Sequence, residues 1–212
     1  MLKINEIFLT IQGESTYAGY PCVMVRLTGC NIRCTYCDSS FAFFEGEERE
    51  TEMLLEDIGR YLCKLICITG GEPLLQKDVF PLMSALIKKD FTVLLETNGS
   101  LSIQDVPKKV IKIMDIKTPD SGFESSNLYE NIRYLTGHDE VKFVICSRSD
   151  YLWAREKLEE YHLESKCTIL FSPAWGKLSL GLIARWIIED KIHVRLQLQL
   201  HKMIWPESQR GV

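Results

Sequence analysis

The sequence has no apolar run near twenty residues, which excludes an ordinary membrane-spanning helix. It has no basic block, and its 25 lysines and arginines are outnumbered by 29 aspartates and glutamates. That balance argues against a protein that coats nucleic acid. The opening residues, MLKINEIFLTIQGES, lack the charged, apolar and small-residue order of a secretory signal. There is no internal repeat and no low-complexity stretch. The expectation is a cytoplasmic protein with no membrane and no nucleic-acid partner. What the chain does have is cysteine, eight in 212 residues. A reducing compartment keeps thiols free, so disulfides do not account for them.

Short β-branched and aromatic runs alternate with stretches of helical periodicity, the pattern of a parallel α/β fold. Strands are predicted at Asn5–Ile11, Cys22–Leu27, Leu65–Thr69, Phe91–Leu95, Val110–Ile116, Val141–Cys146, Thr168–Phe171 and His193–Gln199. Helices are predicted at Glu52–Leu62, with Thr51 as its cap, at Gln76–Lys88, and near Asp150–Glu160 and Lys177–Glu189. A closed eight-unit barrel normally takes about 250 residues. The chain is short for one, and a partial, modified (β/α)6-type open barrel in a single domain, 1–212, fits better. Ligands would then sit at the carboxyl ends of the strands. The polar FAFFEGEERE segment is expected to form a local cap, with Phe41, Phe43 and Phe44 over the site.

The strongest signal is GCNIRCTYCD, which places Cys30, Cys34 and Cys37 at C-x3-C-x2-C spacing. Three thiolates this close converge only if the loop wraps a common centre, and soft thiolates suit zinc, copper(I) or an iron–sulfur cluster. Structural zinc normally takes four protein ligands, often as paired CxxC units, and no second pair follows. Three thiolates on an iron–sulfur cluster would leave one iron open to a small molecule. Free thiols, or a zinc completed by a distant ligand, are the competing readings. Cys22, Cys63, Cys67, Cys146 and Cys167 lie in apolar runs and read as core residues. His138 and His193 show no partner.

With Tyr36 as its aromatic, the triplet resembles the signature of the radical S-adenosylmethionine superfamily. Gly70-Gly71-Glu72-Pro73, after a predicted strand, resembles that superfamily's GGEP motif; taken alone it is also a loop entering a helix at proline. Ile11-Gln12-Gly13-Glu14-Ser15, Ala18-Gly19, Arg26, Cys37-Asp38-Ser39, Thr69 and Glu96-Thr97-Asn98-Gly99 narrow the resemblance to the 7-carboxy-7-deazaguanine synthase family. It runs over nearly the whole chain, including Lys117, Lys142 and His201-Lys202.

The resemblance implies a radical SAM carbon–nitrogen lyase of the queuosine and 7-deazapurine route. It would rearrange 6-carboxy-5,6,7,8-tetrahydropterin to 7-carboxy-7-deazaguanine with loss of ammonia. Cys30, Cys34 and Cys37 would ligate a 4Fe–4S cluster whose open iron takes S-adenosylmethionine. Tyr36, Gly71, Glu72, Glu96, Asp115, Ile116, Lys117 and, more loosely, Ser172 fall where the family holds that cofactor. Ile11, Gln12, Gly13, Glu14, Thr69 and His201 would face the pterin, and Arg26 its carboxylate. Ser39 would offer a hydroxyl to Mg2+. A flavodoxin or ferredoxin electron donor and a homodimer are implied as well. In the family the C-terminus approaches the substrate; whether Pro206 or the tail to Val212 does so in this chain is left open by the sequence.

Plainer roles compete: Arg26 as a buried structural arginine, Gln12-Gly13 as an ordinary turn, Ser39 as a loop cap. A glycyl-radical activating enzyme acting on a protein partner would carry the same triplet, and a zinc-binding interaction module would need no reaction at all. The QGES loop and Arg26 favour a small carboxylated substrate.

Overall fold

Leu2–Ile11 forms β1, and Pro21–Leu27 returns antiparallel to it as β2. The structure, a computed structural model, describes residues 1–205 and 211. Pro206 and Val212, with the expectations attached to them, lie outside the described residues. A short charged strand, β3 (Glu47–Arg49), pairs antiparallel with the start of β1. From β2 onward the sheet is parallel. β4 (Leu65–Gly70), β5 (Thr92–Thr97), β6 (Ile111–Asp115), β7 (Glu140–Ile145), β8 (Thr168–Pro173) and β9 (Arg195–Leu196) follow side by side, in the order 3-1-2-4-5-6-7-8-9. The sheet does not close. It is the partial open α/β barrel expected of the sequence.

Helices α1 (Thr51–Arg60), α2 (Val79–Lys88), α3 (Arg148–Tyr161) and α4 (Leu180–Asp190) provide the crossovers. Each lays an apolar stripe on the outer face of the sheet. Leu54 and Ile58 do so on α1, Leu82 and Leu86 on α2, and Tyr151, Ala154 and Leu158 on α3. They pack against Val23, Val25, Ile66, Ile68, Val93, Leu95, Val141 and Phe143, the outward half of the strand alternation. Between β5 and β6 there is no α-helix. Between β6 and β7 the chain runs through three 3-10 turns instead. α5 (Leu200–Ile204) ends the described chain beside the β1–β2 loop, where the Leu200 amide donates to Gly13 O at 2.9 Å. Among the described residues no helix is long and apolar enough to cross a membrane.

Three expectations shift. Thr51 is the first helical residue and Glu50 occupies the cap. Residues 76–78 are not helical: the Gln76 backbone is extended, and its side-chain amide bridges Lys3 and Thr28 O across 2.7–2.9 Å. The last strand shrinks to two residues, since the backbone after Gln197 turns toward Gly13 rather than continuing along β8.

Candidate active site

The inner half of the strand alternation changes character along each strand. Toward the amino ends it is apolar: Cys22, Leu65, Cys67, Leu94, Ile111 and Ile113 form a small second core. Toward the carboxyl ends the same face carries Arg26, Thr69, Glu96, Asp115 and Lys142. Parallel register sets Arg26 beside Thr69 and Asp115 beside Lys142. Thr69 Oγ1 donates to Glu96 at 2.8 Å. These side chains form one wall of a cavity of about 820 Å³ at the carboxyl edge. The cysteine loop, the β1–β2 loop and the segment from Gln199 to Trp205 complete it.

Of the residues singled out from sequence, Cys30, Cys34, Tyr36, Cys37, Ser39, Ile11, Gln12, Gly13, Glu14, Arg26, Thr69, Gly71, Glu96, Asp115, Lys117 and His201 all line this cavity. Glu72, Ile116 and Ser172 do not. The Glu72 carboxylate is fully buried and accepts from Leu74 N, Thr97 Oγ1 and Asn98 N at 2.7–3.0 Å, tying the Gly-Gly turn to the end of β5. Ile116 sits in the outer core, and Ser172 is buried on β8. Phe41 and Phe43 reach the lining, whereas Phe44 is exposed. Among the lining residues that carried no assigned role are Glu6, Asp38, Asn98, Lys142, Gln199 and Lys202. Alternation along β7 flags Lys142; Glu6 owes its place to an irregularity in β1, and the others to loops and chain closure.

The cysteine loop is held from several sides. Thr35 N donates to Ser121 O, Thr35 Oγ1 to Asp120 O, and the Asn98 amide reaches Asn31 Oδ1 at 3.1 Å and lies 3.8 Å from Cys30 Sγ. Gly71 lies directly under the loop, for a Cβ there would meet Gly29 O and Cys30 Cβ. Burial pushes the Cys34 and Cys37 thiols above their ordinary range. Among the described residues no three His, Cys, Asp or Glu side chains converge as ligands of a single ion would. Three thiolates on different irons of a cluster need no such common point.

Several charges in the cavity are paired. Burial alone would raise Glu14, but Lys142 at 2.7 Å and Gln199 at 2.9 Å hold its carboxyl below the usual range. Lys142 also stands 3.8 Å from Asp115, which pairs with Lys117 at 2.9 Å. Burial disfavours both ammonium charges, yet these carboxylates keep the two lysines above their ordinary values. Asp38 resists burial in the same way: Lys202 at 2.6 Å draws it down to about 2. Arg26 Nε donates to Glu6 at 2.7 Å. Most of the buried polar atoms that find no partner among the described residues belong to residues lining the cavity: Thr10 Oγ1, Gln12 Nε2, Tyr36 Oη, Asp115 Oδ1 and Trp205 Nε1. Unpaired buried polar atoms are costly, so their grouping marks a site shaped for polar ligands. Three thiols beside them provide the soft donor set a cluster requires.

Comparisons with known proteins agree with this geometry. The radical SAM superfamily matches residues 24–171. A 7-carboxy-7-deazaguanine synthase from Koribacter versatilis is 42% identical over the full length of both chains. One from Chlorobaculum tepidum is 42% identical over all of this chain and 97% of its own. A crystal structure of QueE from Escherichia coli superposes with a TM-score of 0.78 at 25% identity, covering 94% of each chain. With the cysteine loop, the Gly-Gly turn and the polar strand ends meeting in one cavity, the chain belongs to the 7-carboxy-7-deazaguanine synthase family of radical SAM enzymes.

Proposed function

We propose that the chain, as a single domain, converts 6-carboxy-5,6,7,8-tetrahydropterin to 7-carboxy-7-deazaguanine with loss of ammonia, on the route to queuosine and related deazapurines. The observation that carries the substrate is Arg26, a guanidinium facing the same cavity as the unpartnered Gln12 Nε2 and the three thiols. A guanidinium matches a planar carboxylate with paired donors, and an amide matches the donor and acceptor edge of a pterin.

Family membership implies a 4Fe–4S cluster and S-adenosylmethionine. When bound and reduced, that pair supplies a 5′-deoxyadenosyl radical. Cys30, Cys34 and Cys37 are the residues that would hold the cluster. The bare backbone of Gly71 permits close approach, and the unpaired Asp115 and Tyr36 oxygens are available to the cofactor. Arg26, Gln12, Glu14, Thr69 and His201 would orient the pterin and displace water from it. Mg2+ is part of the proposal: the Ser39 hydroxyl, bonded to Asp38 at 3.0 Å, would be one ligand, with substrate and water oxygens completing the shell.

The proposed electron donor is a flavodoxin or ferredoxin, and the proposed setting is the cytoplasm. A homodimer is supported by α4, which leaves Leu180, Leu182 and Ile188 exposed. The test is anaerobic incubation with reductant, S-adenosylmethionine, Mg2+ and the carboxytetrahydropterin, without any protein partner. Product at the mass of 7-carboxy-7-deazaguanine is expected. Cofactor cleavage without that product would overturn the substrate assignment.

A further inference from the structure

β1 does not run straight. Its register with β2 shifts between Ile4, paired with Leu27, and Glu6, paired with Arg26. One extra residue, Asn5, is accommodated there, and its side-chain amide is anchored to Glu45 O at 3.0 Å. A bulge of this kind reverses which face the following side chains occupy. Leu2 and Ile4 lie in the outer core with Leu27. Beyond the bulge Glu6, Phe8 and Thr10 line the cavity with Met24 and Arg26. Without it, Glu6 would fall on the core side and Arg26 would face the cavity unaccompanied.

The bulge brings the Glu6 carboxylate to 2.7 Å from Arg26 Nε, with both side chains largely buried, at 19% and 15% exposure. The Phe41 ring covers the guanidinium carbon at 5.6 Å. Glu6 engages Nε alone. Among the described residues the two terminal nitrogens, with four of the five donors, meet no acceptor and remain for a ligand. A long side chain is thereby held at two points, by an ion pair and a ring, with its bidentate edge unspent.

We infer that Glu6 is a positioning residue: it holds the Arg26 guanidinium in the orientation that receives the substrate carboxylate. This rests on the reading of Arg26 proposed above. Two effects of Glu6 oppose each other. Its charge competes with the substrate anion for Arg26, while its hydrogen bond removes rotamer freedom that binding would otherwise have to freeze. At this degree of burial and with this geometry, positioning wins.

The test compares two ligands on the anaerobically reconstituted enzyme, by equilibrium binding: 6-carboxytetrahydropterin and the tetrahydropterin that lacks the carboxyl group. Glu6→Ala is expected to weaken the carboxylated ligand about tenfold and to leave the other unchanged. Glu6→Gln, which keeps an oxygen acceptor for Nε, should recover most of the loss. In an Arg26→Ala background, Glu6→Ala should do nothing further. Iron content and far-UV circular dichroism report whether each variant has folded. Equal weakening of both ligands would reduce Glu6 to a structural role, and tighter binding of the carboxylated ligand would make it a competing charge; either overturns the inference. If Arg26→Ala itself leaves the preference for the carboxylate intact, the assignment of Arg26 falls, and this inference with it. If Arg26→Ala abolishes that preference and Glu6→Ala does not touch it, the inference alone falls.

Discussion

Glu14 and Lys142 meet at 2.7 Å with only 13% of each side chain exposed. Truncating one partner of such a pair leaves an uncompensated charge, whereas neutralising both does not. Glu14→Ala is therefore expected to cost about 3 kcal/mol in urea unfolding. The double variant Glu14→Gln/Lys142→Met should cost less than either single change. The pH dependence has a definite sign. Because Lys142 holds the folded carboxyl below the ordinary Glu value, its stabilisation is complete above that value and is lost as pH falls through the lower one. The urea midpoint of the wild type should fall between pH 5 and 3 more steeply than that of Glu14→Gln. At the thiols the expectation is simpler: Cys34→Ala, reconstituted anaerobically, should lose the visible iron–sulfur absorption and cleave no S-adenosylmethionine.

The parallel strands were legible in the sequence because buried strands need runs such as Val141–Ile145, and few other structures want them. The cysteine site was legible because its three thiols fall within eight residues of one loop. Other elements left no such trace. β3 is Glu-Glu-Arg, three charged residues that only an edge strand tolerates, so no propensity announces it. The bulge at Asn5 is silent because Ile4, Glu6 and Phe8 continue an unbroken alternation while changing faces. Gln199 and Lys202 reach the cavity only through the docking of α5, a contact made by chain closure rather than by local pattern. That docking is tight. A Cβ on Gly13 would overlap the His201 ring. Gly13→Ala should push α5 off the β1–β2 loop, weaken pterin binding about tenfold, and speed proteolytic cleavage near residues 199–205, with far-UV circular dichroism unchanged.

Across the whole molecule the sheet separates two tasks. Its outer face carries the large core under α1 to α4, and its inner face carries the small core and the cavity. The three thiols of the cysteine loop contribute nothing to the large core. Stripping iron with a chelator should therefore leave a single cooperative melting transition, lowered but not abolished, since a bound cluster stabilises only by mass action on the folded state. Loss of cooperative melting would show that the cluster is part of the fold.

The bond between Gln199 and Glu14 joins residues 185 apart, and Lys202 reaches back nearly as far along the chain to Asp38. On a ribosome, at about 5–20 residues per second, the cysteine loop emerges on the order of ten seconds before the segment that walls it in. Manufacture thus leaves the thiols open on that side for a defined interval, and assembly of the pocket has an order in time. Stalled chains that stop short of Gln199 should react with a maleimide at Cys37 faster than the finished, iron-free protein does.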